Sequence, residues 1–148
     1  MSNPTIHVAR GIAATWRVAR DVAERLPCGG VVALQGELGA GKTTFVQGLA
    51  RALGIRRPVT SPTFTLVGEY AGTSLRLVHM DLYRLRTPDD LLATGFAEYA
   101  ESGALVAVEW PERAAGLLPP DAVRVRIELT GDPRVRRIAV RFPVTERR

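Results

Sequence analysis

The stretch GELGAGKTTF, residues 36–45, decides how the rest of the chain is interpreted. It fits the phosphate-loop pattern G-x-x-x-x-G-K-[ST] through Gly36, Gly41, Lys42 and Thr43. Lys42 is the only lysine in the sequence, whereas all nineteen other basic residues are arginine. A compact ammonium suits this position because it acts on phosphate as a point charge, which a planar guanidinium does not. The stretch therefore predicts a binding site for a polyphosphate.

The segments on either side of this loop have the secondary structure that the motif requires. Residues 31–34 are an apolar run of strand length that leads directly into the loop. Residues 43–53 have helical periodicity and are followed by Gly54, a residue type common at helix C-termini. A chance match to the pattern would seldom have both a strand before it and a helix after it.

The rest of the sequence alternates between strand and helix patterns, which is typical of an α/β protein. We expect a strand at 6–8, a helix at 15–26, a loop at 58–62 and a hairpin of strands 63–70 and 75–81. A helix follows that is capped by Thr87, has Pro88 at its first position and is divided at Gly95. After it we expect a strand at 104–108 and a hairpin of strands 123–129 and 136–142. The length of 148 residues suits one ordinary domain. The predicted fold is a single domain, residues 1–148, of the α/β class. It is a three-layer sandwich like that of P-loop NTPases, with a mostly parallel sheet and antiparallel hairpin additions.

The net charge and the cysteine content indicate which partners the protein can bind and in which compartment it works. Residues 1–121 hold twelve basic and twelve acidic side chains, so the net charge of +5 lies entirely in residues 122–148. That basic segment either meets RNA or an acidic partner, or is a solvated strand face. The single cysteine, Cys28, allows no internal disulfide, and no apolar run approaches the length of a membrane span. The N-terminus also lacks the order of a secretory signal, so we expect a cytoplasmic protein without membrane association.

The phosphate loop is expected to supply most contacts to the bound nucleotide. Its glycines let the backbone turn tightly, so that successive N–H groups point inward, and the following helix adds the positive end of its dipole. Lys42 would bridge the outer phosphates, the Thr43 hydroxyl would ligate magnesium, and Thr44 would meet the innermost phosphate or simply pack. The predicted nucleotide-binding residues of the loop are Glu37, Leu38, Gly39, Ala40, Gly41, Lys42, Thr43 and Thr44.

Two carboxylates follow apolar strand patterns and are candidates for magnesium chemistry. Asp81 ends LVHMD, and Glu109 ends LVAVE. In doubly wound folds, functional groups sit at the carboxyl ends of the strands, which is how such a carboxylate is presented to Mg²⁺. Spacing alone does not rank the two as metal ligands, and either one can instead be an acid that caps a turn.

Three further features have two interpretations each. His79 shares the strand face of Asp81, so it either positions the attacking water or contacts the γ-phosphate, or it is a buried, hydrogen-bonded histidine. The hydroxyls of Thr60, Ser61 and Thr63 either sense the γ-phosphate or belong to an ordinary connecting turn. Trp110 is either an aromatic lid on the site or a cap on the core.

Four motifs taken together resemble those of one protein family. GELGAGKTTF, SPTFTLVGEY, HMDLYRL and VEWPE, in this order and at these intervals, are similar to motifs of the bacterial TsaE (YjeE) ATPases of tRNA threonylcarbamoyladenosine biosynthesis. The resemblance covers residues 15–112, while the C-terminal hairpin matches only in general form. It implies that ATP or ADP and Mg²⁺ are the cofactors.

The resemblance also implies roles for individual residues. Thr43 and Glu109 match family positions associated with magnesium, and Asp81 matches one needed for ATP hydrolysis. Trp110 matches a functionally important tryptophan. Contacts on the adenine side are implied around two further residues, Ile12 and Thr15.

The same resemblance implies an auxiliary subunit rather than the transferase itself. Proteins of this family associate with TsaD and TsaB, which move a threonylcarbamoyl group from an adenylate onto adenosine 37 of tRNAs that read codons beginning with A. ATP binding and slow hydrolysis would then drive association and reset of that complex, with tRNA contacted indirectly through it.

Two other classes of function compete with this interpretation. A small P-loop kinase would phosphorylate a metabolite, but such kinases usually carry an arginine-bearing lid, and the sequence after Glu112 leads directly into the C-terminal hairpin. A nucleotide-gated RNA-binding module would use the arginine face of that hairpin, which lacks the interleaved aromatic residues of a base-stacking surface. The arginines of that face are Arg124, Arg126, Arg137 and Arg141.

Overall fold

The computed structural model of the protein describes residues 2–62, 64–114 and 116–144. Thr63, which was predicted to begin a strand and to belong to the phosphate-sensing loop, lies outside the described residues. The strands are β1 (Thr5–Arg10), β2 (Gly30–Gln35), β3 (Val67–Ala71), β4 (Arg76–Asp81), β5 (Leu105–Glu109), β6 (Val123–Leu129) and β7 (Val135–Arg141). The helices are α1 (Ile12–Glu24), α2 (Lys42–Ala52), α3 (Pro88–Ala93) and α4 (Phe96–Glu101), with a 3-10 turn at Pro111–Ala114.

The strands form one seven-stranded mixed sheet in the order β1-β7-β6-β2-β5-β4-β3. Three of its pairings are parallel, namely β2 with β5, β2 with β6, and β4 with β5. The other three are antiparallel, namely β1 with β7, β3 with β4, and β6 with β7. Both predicted hairpins are therefore confirmed, whereas the expectation of a mostly parallel sheet was wrong. The sequence showed β1 as a strand but not its antiparallel pairing with β7, because the partners are more than 120 residues apart.

The hydrophobic core is divided between the two faces of the sheet. One cluster joins side chains of α1 and α2, such as Val22 and Phe45, to inward-facing residues of most strands. The second cluster joins α3 and α4, through Leu91 and Phe96, to the opposite side of the central strands, including Val106. These contacts hold the carboxyl ends of β2, β4 and β5 side by side. Among the described residues, no helix is long and apolar enough to span a membrane.

Most predicted element boundaries lie within two residues of those observed, and two differ by more. Helix α1 begins at Ile12, three residues before the prediction, because Gly11 precedes it with φ of 82° and no side-chain cap marks the start. Strand β3 begins only at Val67, since Leu66 has φ of 67° and its N–H donates to the Pro62 carbonyl at 2.7 Å. The division of the helix at Gly95 is confirmed, with φ of 78° at that glycine.

Candidate functional site

The phosphate loop, residues 36–41, connects β2 to α2, and its glycines serve two purposes. Gly39 and Gly41 have φ of 81° and 112°, a region that side chains other than glycine rarely adopt, although a Cβ atom on either would meet nothing within 4 Å. At Gly36 the reason is contact, because a Cβ atom there would lie 2.7 Å from the Ile127 carbonyl oxygen. The loop thus packs tightly on β6 while its tip faces open space at the start of a helix, the arrangement that binds anions.

Lys42, the first residue of α2, folds back over this loop. Its Nζ donates hydrogen bonds to the carbonyl oxygens of Gly36 at 2.5 Å and Glu37 at 3.3 Å. The Trp110 ring covers the ammonium, with 3.8 Å between Nζ and the ring centroid. Burial lowers the pKa of Lys42 from its ordinary value of 10.5, and three carboxylates oppose that shift. They belong to Glu109, Glu112 and Asp81.

The two candidate carboxylates end neighbouring parallel strands, where β4 places Asp81 opposite Glu109 of β5. Both side chains are buried. Thr43 Oγ1 donates to Glu109 Oε2 at 3.1 Å, so the helix hydroxyl is already joined to this carboxylate. Asp81 has different partners: its Oδ2 accepts from Ser61 Oγ at 3.1 Å and its Oδ1 from the Tyr83 amide at 3.0 Å. A hydroxyl and two carboxylates are oxygen donors of the kind that Mg²⁺ prefers.

His79 lies behind this pair rather than in the cleft. Its side chain is fully buried, and its Nε2 is 2.5 Å from Glu109 Oε2. The other ring nitrogen, Nδ1, has no hydrogen-bond partner among the described residues. This arrangement matches the alternative of a buried, hydrogen-bonded histidine, while a catalytic role for His79 stays a prediction that would have to act through Glu109.

The loop, both carboxylates and Trp110 line one cleft of about 570 Å³. Most of the predicted nucleotide-binding and metal residues share it. The cleft is lined by Leu38, Gly39, Gly41, Lys42, Thr43, Thr44, Ser61, Asp81, Tyr83, Arg84, Glu109 and Trp110. Tyr83 and Arg84 were not predicted to contact the nucleotide, although they belong to the quoted HMDLYRL motif and to the stretch 81–85, which is a candidate partner-sensitive element. The Tyr83 ring packs against Trp110 with 4.8 Å between centroids.

The remaining predicted contacts lie elsewhere around the loop. Ile12 and Thr15 line a smaller cleft of about 200 Å³ together with Ala40. Gly41 and Thr44 line both clefts, so the two clefts adjoin at the start of α2. Glu37 is exposed and lines a third cleft beside β6.

Arg136 is a contact to the loop that sequence reasoning missed. Its Nε donates to the Ala40 carbonyl oxygen at 2.8 Å, and the residue also lines the Ile12 cleft. One sequence signal existed: in the alternating strand, position 136 shares its face with the buried Ile138 and Val140, so a charged residue stands where an apolar one is expected.

The chain matches known proteins over most of its length. The family model described as threonylcarbamoyl adenosine biosynthesis protein TsaE matches residues 9–138. The Treponema pallidum protein named tRNA threonylcarbamoyladenosine biosynthesis protein TsaE is 43% identical over 125 residues, which are 84% of this chain and 92% of that protein. A Nostoc protein of the same name is 48% identical over 94 residues, 61% of this chain and only 57% of its own length.

A solved structure agrees with these matches. The crystal structure of Bacillus subtilis YdiB aligns with a TM-score of 0.78 and 34% identity, covering 95% of this chain and 86% of that one. The α/β fold, with its seven-stranded mixed sheet and four helices in the described residues, is therefore shared with a solved protein. From the family match and the identities of its relatives, this chain belongs to the TsaE family.

Proposed function

We propose that this chain is a Mg-ATP-binding ATPase subunit that supports the threonylcarbamoylation of adenosine 37 in tRNA by TsaD and TsaB. ATP hydrolysis resets that complex and does not perform the transfer. The observation that carries the proposal is the convergence of Lys42, Thr43, Asp81 and Glu109 on one cleft at the tip of a glycine-rich loop. The names of the relatives support a role in tRNA threonylcarbamoyladenosine biosynthesis. We also assign the chain a single domain with the three-layer fold of P-loop NTPases, and we place the protein in the cytoplasm.

The loop and the start of α2 hold the triphosphate in this mechanism. Backbone N–H groups at residues 39–43 donate to phosphate oxygens, and the Lys42 ammonium exchanges its loop carbonyls for the outer phosphates. Thr43 and Glu109, already hydrogen-bonded to each other, would hold Mg²⁺, and Asp81 is the further candidate ligand. The metal ion neutralises charge on the phosphate oxygens when it is bound.

We assign Asp81 to the positioning of the hydrolytic water. The Ser61 hydroxyl and the Tyr83 amide fix its two oxygens, which leaves the remaining lone pairs to orient a water toward the terminal phosphate. Trp110 covers Lys42 and keeps bulk water from the ammonium. Ile12 and Thr15 would contact the adenine end of the nucleotide, since Ala40 and Gly41 of the loop line the same cleft.

We assign partner sensitivity to the stretch 81–85 and to the loop that holds Ser61 and Pro62. Tyr83 and Phe64 are exposed hydrophobic side chains close to this region, and Arg84 lies over the Phe64 ring at 5.2 Å. A partner that covers Tyr83 and Phe64 would also shift the hydrogen bond between Ser61 and Asp81. This shift would couple association with the partner to ATP hydrolysis.

Two variants test the proposal. Lys42→Ala should abolish ATP binding in calorimetry, because it removes the charge that holds the outer phosphates. Asp81→Asn should bind ATP but release phosphate roughly a hundredfold more slowly, the size of effect expected when a group that handles the proton is lost. Asp89→Asn removes an exposed carboxylate outside the cleft and serves as the matched control.

Addition of TsaD and TsaB should raise the ATPase rate of the wild-type protein and of the control. Unchanged ATP affinity in Lys42→Ala would remove the loop from the site. Full activity without these partners, with phosphate appearing on a small hydroxyl acceptor, would instead establish a metabolite kinase.

A further inference from the structure

Half of one sheet face has no helix against it among the described residues. Along β6 the inward residues, such as Val125 and Ile127, pack in the cluster of α1 and α2. The alternate residues Arg124 and Arg126 point to the opposite side, where the cluster of α3 and α4 reaches β2, β4 and β5 but no residue of β6, β7 or β1. This uncovered area carries an arginine groove, defined by Arg124, Arg126, Arg137, Arg141 and Glu128.

The groove has an unbalanced positive charge. It encloses about 290 Å³ and holds four guanidinium groups and one carboxylate. That carboxylate, Glu128, is paired with Arg137 at 2.7 Å. Within residues 2–62, 64–114 and 116–144, Arg124, Arg126 and Arg141 form no ion pair and no side-chain hydrogen bond.

The strand register adds to this imbalance. Arg124 of β6 lies directly opposite Arg141 of β7. Like charges at opposed positions of an antiparallel pair destabilise the sheet, and an anion bound between them removes that repulsion. The positions therefore have a physical reason to bind a ligand with closely spaced negative charges.

The groove is separate from the nucleotide site. The cleft between the two is lined by Glu37, Glu112 and Glu128, together with Arg126. The carboxylates of Glu37 and Glu112 repel phosphate, so the triphosphate tail of a nucleotide in the loop would not extend across them. An anion in the groove is thus a second ligand.

We propose that the arginine groove binds the phosphate backbone of RNA, and, on the strength of the proposed function, that this RNA is tRNA. Guanidinium groups bind phosphate oxygens through paired N–H donors, and an RNA strand supplies regularly spaced phosphates whose condensed counterions are released when arginines replace them. The described residues that line the groove include no aromatic side chain, and Ile6 and Ala139 form part of its wall. Recognition is therefore of the backbone and not of stacked bases.

The test measures binding of a fluorescein-labelled, unmodified tRNA transcript at several salt concentrations. The variant Arg124→Gln/Arg126→Gln/Arg141→Gln should lower the affinity by roughly tenfold or more and reduce the slope of log K against log salt by about 2 to 3. The control, Arg17→Gln/Arg20→Gln/Arg56→Gln, removes the same charge from exposed positions outside the groove and should retain most of the binding. Calorimetry with Mg-ATP should give equal affinities for both variants, which verifies that the fold and the loop are intact.

Three results would overturn the inference. They are equal tRNA affinity of the groove variant and the wild type, an equal loss in the control variant, and displacement of tRNA by polyglutamate as readily as by unlabelled tRNA. A groove variant that binds tRNA normally but no longer captures TsaD and TsaB would show that the face meets an acidic protein. If Lys42→Ala no longer binds ATP but still binds tRNA, the two sites are independent. A wild-type protein that binds tRNA through the groove but does not bind ATP would contradict only the proposed function.

Discussion

Lys42 is the residue in which burial and charge compete most directly. Its side chain is 5% exposed, its Nζ is bonded to loop carbonyls, and an aromatic ring covers it. Desolvation outweighs the attraction of the nearby carboxylates, so its pKa is lowered. A bound triphosphate would raise the pKa again, because negative charge favours the ammonium. Nucleotide binding would therefore be coupled to the protonation of this one side chain.

We predict that ATP affinity falls at alkaline pH. The ammonium is fully charged below the pKa of the free protein, so affinity is constant there. As the pH rises through that lowered pKa, protons must be taken up on binding and the affinity decreases. The decrease should start below the ordinary lysine value of 10.5. Calorimetry in buffers of different ionisation enthalpy should detect proton uptake in this range.

Lys42→Arg is the control, because its guanidinium does not titrate in this range. It should bind ATP more weakly and show no alkaline loss. A wild-type affinity that stays constant up to the ordinary lysine pKa would contradict the prediction.

Backbone strain also concentrates at the site. Trp110 and Leu66 are the two residues other than glycine with positive φ in the described part of the chain, at 59° and 67°. Trp110 covers Lys42, and the Leu66 carbonyl accepts the Asp81 amide at 3.0 Å. Both strained residues therefore support groups assigned to the nucleotide cleft, where such strain is commonly found.

Among the elements, β7 has a function beyond completing the sheet. It carries Arg136, which reaches the Ala40 carbonyl of the phosphate loop at 2.8 Å. The same guanidinium donates to the Pro133 carbonyl at 2.8 Å, so it is held from both sides. The C-terminal hairpin thus braces a loop that lies 96 residues earlier in the chain.

We predict that Arg136→Gln weakens ATP binding by about tenfold. The loop would lose a hydrogen bond from a charged donor, worth roughly 1.5 kcal/mol or more. Calorimetry should show the loss, and hydrogen exchange at residues 36–41 should become faster. Arg137→Gln is the control, because the Arg137 side chain points to the other face of the strand and pairs with Glu128 on the surface. Equal ATP affinity in Arg136→Gln and the wild type would show that the loop is rigid without this contact.

At the scale of the whole molecule, the nucleotide would bind to a site that exists only when β2, β4, β5 and α2 are packed together. Mg-ATP at about 100 times its dissociation constant should therefore stabilise the folded state by about 2.7 kcal/mol. For a chain of this size, that corresponds to a rise in Tm of about 5 to 10 °C. A thermal melt should show this rise for the wild type and none for Lys42→Ala. An equal rise in both proteins would mean that ATP binds outside the loop.

The sequence by itself determined the local structure and the list of reactive groups. The phosphate loop, the division of the helix at Gly95, both hairpins and the acids at the ends of two strands follow from short-range rules of turns, periodicity and glycine conformation, which act within a few residues. The family could also be predicted, since its motifs are contiguous segments.

Only the tertiary structure decided which groups meet. The pairing of β1 with β7, the placement of His79 behind Glu109, the hydrogen bond from Ser61 to Asp81 and the contact of Arg136 with Ala40 join residues 20 to more than 120 positions apart. No local propensity encodes such contacts, because they result from packing the elements around two shared cores. The arginines of β6 and β7 likewise form a groove only in the folded sheet, because no helix of the described residues covers that side of the two strands.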